Sequence, residues 1–451
     1  MSVLTVPRPI VLALAAVAAG VSICQAENPV VQTSFTADPA PMVYNGPVYL
    51  YTGHDEDDAT GFKMLDWKLY TSIDMVNWTD RGTVATLKIF PWAVQSNDAW
   101  PLQVIERGGK FYLYAPISVA GSPKNVIAVA VADSPLGPFK DALGHPLIDR
   151  ADGYFDPTVF VDDDGQAYLY WGNPNLWYVK LNKDMVSYSG PITKVDSKPE
   201  NYQEGPWLYK RHGNYYMAYA SHCCSEGIGY ATSAGPTGPW TYKGMLMDPD
   251  PRSSGNHPGI IDCKGRSYLF GFDYYLNFAL TKEHRERRSV CLQEFSYNPD
   301  GTISTLPWWD KKGVRQVGTL DPYIRNEAET IAWESGVRTA QGHDVGVYVT
   351  HITNGGYIEV CGVDFAKKRK PRFTANVASA HDGGSIHLHL DRADGPEIGV
   401  LPVSSTGGSD RWQTVTTLVS PATGIHDLYF VFEGSGGGEL FSFDSWKFQG
   451  R

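Results

Sequence analysis

Charge is scarce in this chain of 451 residues: Asp, Glu, Lys and Arg together make 19%, and acids outnumber bases 49 to 38, for a formal charge of −11. So little basic surface excludes a protein that tracks phosphate backbones, and no nucleic acid partner is expected. Cysteine is scarce as well, six residues in all, which excludes a disulfide framework as the main source of stability. Long apolar runs are absent with one exception, Ile10 to Ile23, which follows Arg8 and is too short to span a bilayer. It reads as the core of a signal peptide cut after Ala26, with Cys24 and Ala26 at the two small-residue positions. The bulky Ile23 disfavours the alternative, a lipoprotein site at Cys24. The mature chain is therefore expected to be secreted, extracellular or periplasmic, free of the membrane and monomeric. Five cysteines would remain, Cys223, Cys224, Cys263, Cys291 and Cys361, so at least one thiol would lack an intrachain partner.

Glycine and proline, by contrast, are plentiful at 46 and 30 residues, as are Tyr (26) and Trp (13), in a chain that is 42% apolar. Such a composition excludes disorder and points to a turn-rich β protein with aromatic surface to spare. A repeat organises it. ADPAPMVYNGPVYLY from Ala37, AWPLQVIERGGKFYLY from Ala99, FDPTVFVDDDGQAYLY from Phe155, QEGPWLYKRHGNYYMAY from Gln203 and NHPGIIDCKGRSYLF from Asn256 share one pattern. In each, a polar or aromatic residue beside a proline or Gly-Pro is followed by an apolar stretch, a glycine turn and a Tyr-centred strand. The leading residues are Asp38, Trp100, Asp156, Glu204 and His257, with turn glycines at Gly46, Gly108, Gly165, Gly213 and Gly265. Most of these hairpins are followed by a further strand and a tight turn such as Ser134 to Phe139 or Gly235 to Trp240, so each unit reads as four short antiparallel strands. Five such units over residues 27–302 predict a five-bladed β-propeller. Residues 303–325 lack alternation and read as a connector packed back through Trp308 and Trp309. From residue 326 to 451, new closely spaced strand signals predict a β-sandwich of jelly-roll type. The basic run Lys367 to Lys370 within it reads as a solvated loop.

In a propeller the innermost strands converge on the axis, so the five leading residues should face one another across a funnel. Two Asp and one Glu converging there repel and raise one another's pKa, a cost that no structural role requires. Three carboxylates in an aromatic cup suit glycoside hydrolysis, where one acid protonates the leaving oxygen and a carboxylate activates water or attacks carbon. Trp67, Trp92, Trp100, Trp171, Trp177 and Trp207 are candidate platforms for sugar C–H faces, and each is also a candidate core residue. Gly227 to Gly229 and Gly434 to Gly438 lack the strand-to-helix context of a phosphate loop, and Asp162 to Gly165 lacks the distal Glu of a calcium hand.

Through ADPAPMVYNGPVYLYTGHDE, YFDPTVFVDDDGQAYLYWG, EGPWLYKRHGNYYMAYA and HRERRSV, residues 30–320 resemble glycoside hydrolase family 43. The resemblance implies an inverting five-bladed propeller with Asp38 as general base, Glu204 as general acid and Asp156 tuning and holding the acid. It also implies that Arg288 reaches the sugar subsite at the cleavage point. His257 matches a histidine that approaches a central ion, often calcium and often through water; a hydrogen-bonded plug of the funnel is the equal alternative. Residues 326–449 resemble carbohydrate-binding module family 6, which implies structural calcium held by Glu327, Glu329 and Asp444 and a sugar-stacking Trp412 faced by Tyr348 or Tyr357. Ser442 stands where related modules carry Asn, which leaves a chiefly structural module as the alternative. The TGHDED loop and the appended module resemble arabinoxylan-debranching members, so the expected activity is an α-L-arabinofuranosidase acting on plant cell-wall polysaccharide. A β-xylosidase is the alternative within this chemistry, and a sugar-binding propeller without turnover is the alternative outside it.

Overall fold

The computed structural model describes residue 24 and residues 27–121, 125–149, 155–253, 256–309, 313–366, 372–435 and 438–449. The apolar run of the expected signal peptide and the basic run at 367–370 lie outside them. The fold is almost entirely β. Four four-stranded units come first: β1 (Thr36–Val43), β2 (Val48–His54), β3 (Asp66–Ser72) and β4 (Trp78–Thr86); β5 (Gln103–Arg107), β6 (Lys110–Ser118), β7 (Asn125–Ala132) and β8 (Lys140–Asp141); β9 (Thr158–Val161), β10 (Ala167–Trp171), β11 (Trp177–Leu181) and β12 (Tyr188–Lys194); β13 (Tyr202–Arg211), β14 (Asn214–Ser221), β15 (Gly227–Ser233) and β16 (Thr241–Met247). A fifth unit follows, with β17 (Gly259–Cys263), β18 (Arg266–Asp273) and β19 (Ser289–Phe295), and a short helix, α1 (Tyr275–Leu280), sits between its last two strands. These are the five blades of a propeller.

Each blade is packed between two others, so its second strand is apolar on both faces. β6 (KFYLYAPIS) and β14 (NYYMAYAS) are buried nearly throughout, which explains why they read as continuous apolar runs rather than alternating ones. Their hairpins close through two residues of positive φ, Gly108 and Gly109 before β6, His212 and Gly213 before β14, and Lys264 and Gly265 before β18. That conformation matches the twist of the strands and selects glycine.

The fifth blade departs from the expected four strands. Its outer position is taken by the N-terminal segment, where the Val30 amide donates to the Val290 carbonyl (2.9 Å) and the Asn28 side chain bonds both the amide and the carbonyl of Leu292 (2.8 and 3.1 Å). The ring is thus closed by residues far apart in sequence. The cysteines also differ from expectation. Cys24, expected to leave with the signal peptide, is joined to Cys361, Cys223 is joined to Cys224, and Cys263 and Cys291 are buried thiols.

Trp309 is buried in the propeller core with Trp308 packed against it, and the chain then passes to a sandwich of a six-stranded and a five-stranded sheet. The sandwich core is aromatic: Phe373, Phe430, Phe443, Trp446 and Phe448 lie ring against ring. The two domains interlock. β20 (Asn326–Glu327) pairs with the last strand, Ser442–Gln449, whereas β21 (Thr330–Ile331) pairs with β4 of the first blade. Buried polar groups line the joint: the Thr79 and Thr330 hydroxyls meet at 2.8 Å, the Thr339 hydroxyl donates to Asp80 (2.7 Å), and the Asn77 side chain bonds both the amide and the carbonyl of Cys361 (2.8 and 2.9 Å).

Candidate active site

The five leading residues meet. Asp38, Trp100, Asp156, Glu204 and His257 all line one cavity of about 270 Å³ at the end of the propeller axis. Backbone geometry turns them inward. Asp38 (φ 51°) and Asp156 (φ 58°) adopt the left-handed conformation immediately before a proline, and Gly205 (φ 58°) does so between Glu204 and Pro206. For a non-glycine residue this costs on the order of 1–3 kcal/mol and is typical of functional sites. Below the cup, Pro39, Pro101, Pro157, Pro206 and Pro258, one from each blade, surround a narrow axial space of about 20 Å³. An innermost strand has no neighbour on its axial side, so proline removes no ladder bond there.

Charge in the cup is arranged around two cations. The Arg288 guanidinium donates from one terminal nitrogen to both oxygens of Asp38 (2.8 and 2.9 Å) and from Nε and the other nitrogen to Asp55 (2.9 and 2.8 Å), while its main-chain amide also reaches Asp55 (2.8 Å). The rings of Phe62 and Phe272 each lie 5.2 Å from the guanidinium carbon. His257 stands among all three leading carboxylates: its Nδ1 lies 3.6 Å from Asp38, and its Nε2 lies 3.6 Å from Asp156 and 3.5 Å from Glu204. Burial disfavours charge on the imidazole, but Asp156, Asp38 and Glu204 outweigh it and push its pKa up to about 10. His257 is therefore the second cation of the funnel beside Arg288, and with Asp156 and Glu204 it forms, among the described residues, the one cluster on the axis that could hold an ion.

The carboxyls are driven apart. Burial pushes Asp156 up to about 7, with the neighbouring charges of Glu204 and Asp38 adding to it. Burial also raises Asp38, opposed by Arg288 and His257. Glu204 is pushed up by burial too, but the hydrogen bond and charge of His257, the Asn173 amide and Arg288 together hold it below its ordinary value. Asp156 and Glu204 thus share one proton near neutrality, resting on Asp156. Of the two, Glu204 is the more open, its side chain 18% exposed against 5%.

Three carboxyl-bearing or polar groups of this site were given no role from the sequence: Asp55, which lies within the TGHDED loop, Asn173 and Glu226. Each falls in the loop after the second strand of a blade, the loop that tops the cup, and that common position is the signal that could have found them. Glu226 accepts the Asn256 amide (3.0 Å), and burial with the nearby Glu204 charge pushes it up to about 8.

The tryptophan expectations are corrected in part. Trp171 is fully buried among Tyr114, Leu169 and Val179 in the third blade's core, because β10 is packed on both faces; it does not bind substrate. Trp67 is fully buried and donates to the Trp100 carbonyl (2.8 Å), Trp92 donates to Asp141 (2.6 Å), and Trp207 donates to the Ile260 carbonyl (2.9 Å). Of the six, Trp100 alone lines the cup, in ring contact with Phe62 (5.7 Å) and Phe155 (5.9 Å).

In the sandwich, Trp412 is half-buried and meets Tyr348 edge to face at 5.1 Å, whereas Tyr357 pairs with Tyr429. The expected calcium set is also corrected. Glu327 and Asp444 converge on a positive group supplied by the chain itself: one Arg325 nitrogen lies 2.8 Å from Glu327 and 3.0 Å from Asp444, which also accepts from Asn376 (2.9 Å). Glu329 is buried, and desolvation pushes its carboxyl well above the ordinary range. With the guanidinium between them, Glu327 and Asp444 already share a cation of the chain's own and as placed do not fit a calcium shell, while one carboxylate oxygen of Glu329 is buried without a hydrogen-bond partner.

Residues 26–303 match the family described as glycosyl hydrolases family 43, and residues 327–450 match carbohydrate binding module family 6. The arabinoxylan arabinofuranohydrolase of Bacillus subtilis is 35% identical, covering 94% of this chain and 92% of its own. That of Paenibacillus polymyxa is 34% identical over 93% and 74%. The crystal structure of a family 43 arabinoxylan arabinofuranohydrolase from Bacillus subtilis in complex with cellotetraose superposes with a TM-score of 0.82 at 34% identity, covering 94% of this chain and 97% of that one. A β-xylosidase/α-arabinofuranosidase from a compost metagenome, solved with xylotriose in a calcium-free form, matches 63% of this chain and 98% of its own, with a TM-score of 0.56 at 28% identity. The chain belongs to glycoside hydrolase family 43, and its C-terminal sandwich is a family 6 carbohydrate-binding module.

Proposed function

We propose that this hydrolase removes α-L-arabinofuranosyl side groups from arabinoxylan with inversion at the anomeric carbon. The observation that carries the substrate is the likeness to arabinoxylan arabinofuranohydrolases across both domains at once. The chemistry is supported by the cup. Asp38, whose charged form Arg288 and His257 favour against burial, is the base that takes a proton from the attacking water. Glu204, open to the cavity, is the acid that protonates the departing oxygen. Asp156, beneath it, holds the shared proton until substrate binds and passes it to Glu204. Asp38 and Glu204 contact opposite nitrogens of one imidazole. Placement on opposite sides of the ring supports the wider carboxyl spacing that inversion requires, with a water between base and sugar. Trp100 with Phe62 and Phe155 forms the apolar wall for the pentose.

Export belongs to the same proposal. It is supported by the N-terminal apolar run and by the Cys223–Cys224 disulfide, a bond that persists in oxidising compartments. N-terminal sequencing of the exported protein decides where the leader is cut; a cut after Ala26 would leave Cys361 without Cys24. For the activity, wheat arabinoxylan should yield free arabinose while the xylan backbone keeps its length, and NMR should show the first-released sugar with inverted configuration. Xylose or shortened xylo-oligomers without arabinose would overturn the substrate, and retained configuration would overturn the mechanism.

A further inference from the structure

The loop that joins β14 to β15 carries two adjacent cysteines, and the chemistry above uses neither. Cys223 and Cys224 are joined to each other, are exposed, and line the same cavity as Asp38, Glu204 and Arg288. The loop that carries them is held on both sides. The His222 amide donates to the Asn201 carbonyl (3.1 Å) on one flank, and Glu226 accepts the Asn256 amide (3.0 Å) on the other. The sulfurs therefore stand at a defined place on the wall of the cup. The other disulfide, Cys24 to Cys361, lies in the core shared by the first and fifth blades, and the thiols of Cys263 and Cys291 are buried; none of these lines the cup.

A pentose presents hydroxyls at its edge and C–H groups on its faces. Much of the cup wall is charged or strongly polar and suits the hydroxyls. A disulfide is polarisable, lacks a hydrogen-bond donor and is a poor acceptor, so its surface suits C–H groups as an aromatic face does. Resting on the reading of the site as a pentose-releasing hydrolase, we propose that the Cys223–Cys224 disulfide is a substrate-binding surface of the cup, and that its reduction weakens sugar binding while leaving the chemical step intact. A dithiol supplies the reduction. One of its thiolates attacks a cysteine sulfur, the Cys223–Cys224 bond breaks as a mixed disulfide forms, and the second thiolate displaces the remaining cysteine. The protein gains two electrons and two protons, and the dithiol leaves as its cyclic disulfide. Two separate thiols are free to rotate away from each other and are polar enough to be solvated, so the apolar surface is lost.

The test uses the full chain purified without reductant. Alkylation followed by mass spectrometry should find Cys223 and Cys224 unlabelled, and labelled after dithiothreitol. Kinetics on an aryl α-L-arabinofuranoside and an aryl β-D-xyloside are then measured with and without dithiothreitol, for the wild type and for Cys223→Ser/Cys224→Ser. On the substrate that is turned over, reduction should raise KM about three- to tenfold, the effect of losing one apolar contact surface, with kcat within about twofold. The double variant should start with the raised KM and not respond to dithiothreitol, which excludes Cys24 to Cys361 as the source. Free thiols at Cys223 and Cys224 in the untreated enzyme, an unchanged KM on reduction, or an equal response in the double variant would each overturn the proposal. Should the double variant fail to fold, the wild-type comparison decides by itself. Failure of the underlying reading looks different: the untreated enzyme would then turn over neither glycoside.

Discussion

Acidic residues gather in two places in this molecule, and the two clusters are neutralised in different ways. In the propeller cup, Asp38, Asp156, Glu204 and Glu226 surround two buried cations, so acids outnumber positive charges and protons must make up the difference. In the sandwich, Glu327 and the fully buried Asp444 share Arg325, a side chain 53% exposed, so these acids meet a cation that reaches in from the surface. An excess of buried carboxyls holds protons near neutral pH, where they can be delivered to a substrate. The difference lies in the burial of the cations, Arg288 and His257 in the cup against the exposed Arg325 in the sandwich, rather than in an excess of acids over cations, which both places have.

The sharpest way to test that contrast is to remove one carboxylate at a time. Glu204→Gln should lower turnover of arabinoxylan by roughly 10²–10⁴ and spare activated aryl glycosides comparatively, because good leaving groups need little acid help. Asp38→Asn should impair both substrates alike, since every substrate needs the water activated. Asp444→Asn, in the other cluster, should leave aryl glycoside kinetics unchanged. Initial rates on both substrates check all three, and equal losses on both substrates for Glu204→Gln would remove it from the role of acid.

Trp171 separates core from site within the propeller. Trp171→Ala should cost about 3–5 kcal/mol of stability, the usual range for emptying a buried aromatic position, with KM unchanged for whatever fraction remains folded. Denaturant unfolding combined with kinetics on the folded fraction measures this; a raised KM at unchanged stability would return Trp171 to the substrate.

A smaller effect concerns protons. The Glu226 carboxyl keeps its proton to about pH 8 in the fold, against an ordinary value of 4.5, so the folded state binds more protons than the unfolded one between those limits. Stability must then fall as pH rises through that window. Glu226→Gln removes the titration, so its loss of melting temperature between pH 5 and pH 9 should be smaller than that of the wild type. Scanning calorimetry at the two pH values checks it, and an identical loss would show that the buried carboxyl does not titrate there.

The smallest expected effect lies in the sandwich. With Arg325 in place, adding calcium or a chelator should leave the melting temperature unchanged. In Arg325→Ala, Glu327 and Asp444 lose their cation and calcium should now stabilise, because a ligand bound only by the folded state raises its melting point. A wild type that melts lower in chelator would restore the calcium expectation.

The five-fold repeat, the blades and the convergence of Asp38, Asp156 and Glu204 were legible from residue order, because a propeller turns equal positions in sequence into neighbours in space. His257 was legible as an axial residue, but its charge was not: protonation depends on the three carboxylates that close around it. Asp55, Asn173 and Glu226 were given no role because they sit in loops outside the repeat, and only folding brings those loops over one cup. Trp171 and Trp100 look alike in the sequence, yet one is covered by neighbouring blades and the other is not, a distinction made by packing. Likewise, Glu327 and Asp444 announced a cation site by composition, while its occupant, Arg325, was decided by the pairing of β20 with the last strand. Periodicity is written in the chain and so determines architecture. Burial, proton sharing and charge pairing depend on distances across elements that are remote in sequence, and for those the tertiary structure was decisive.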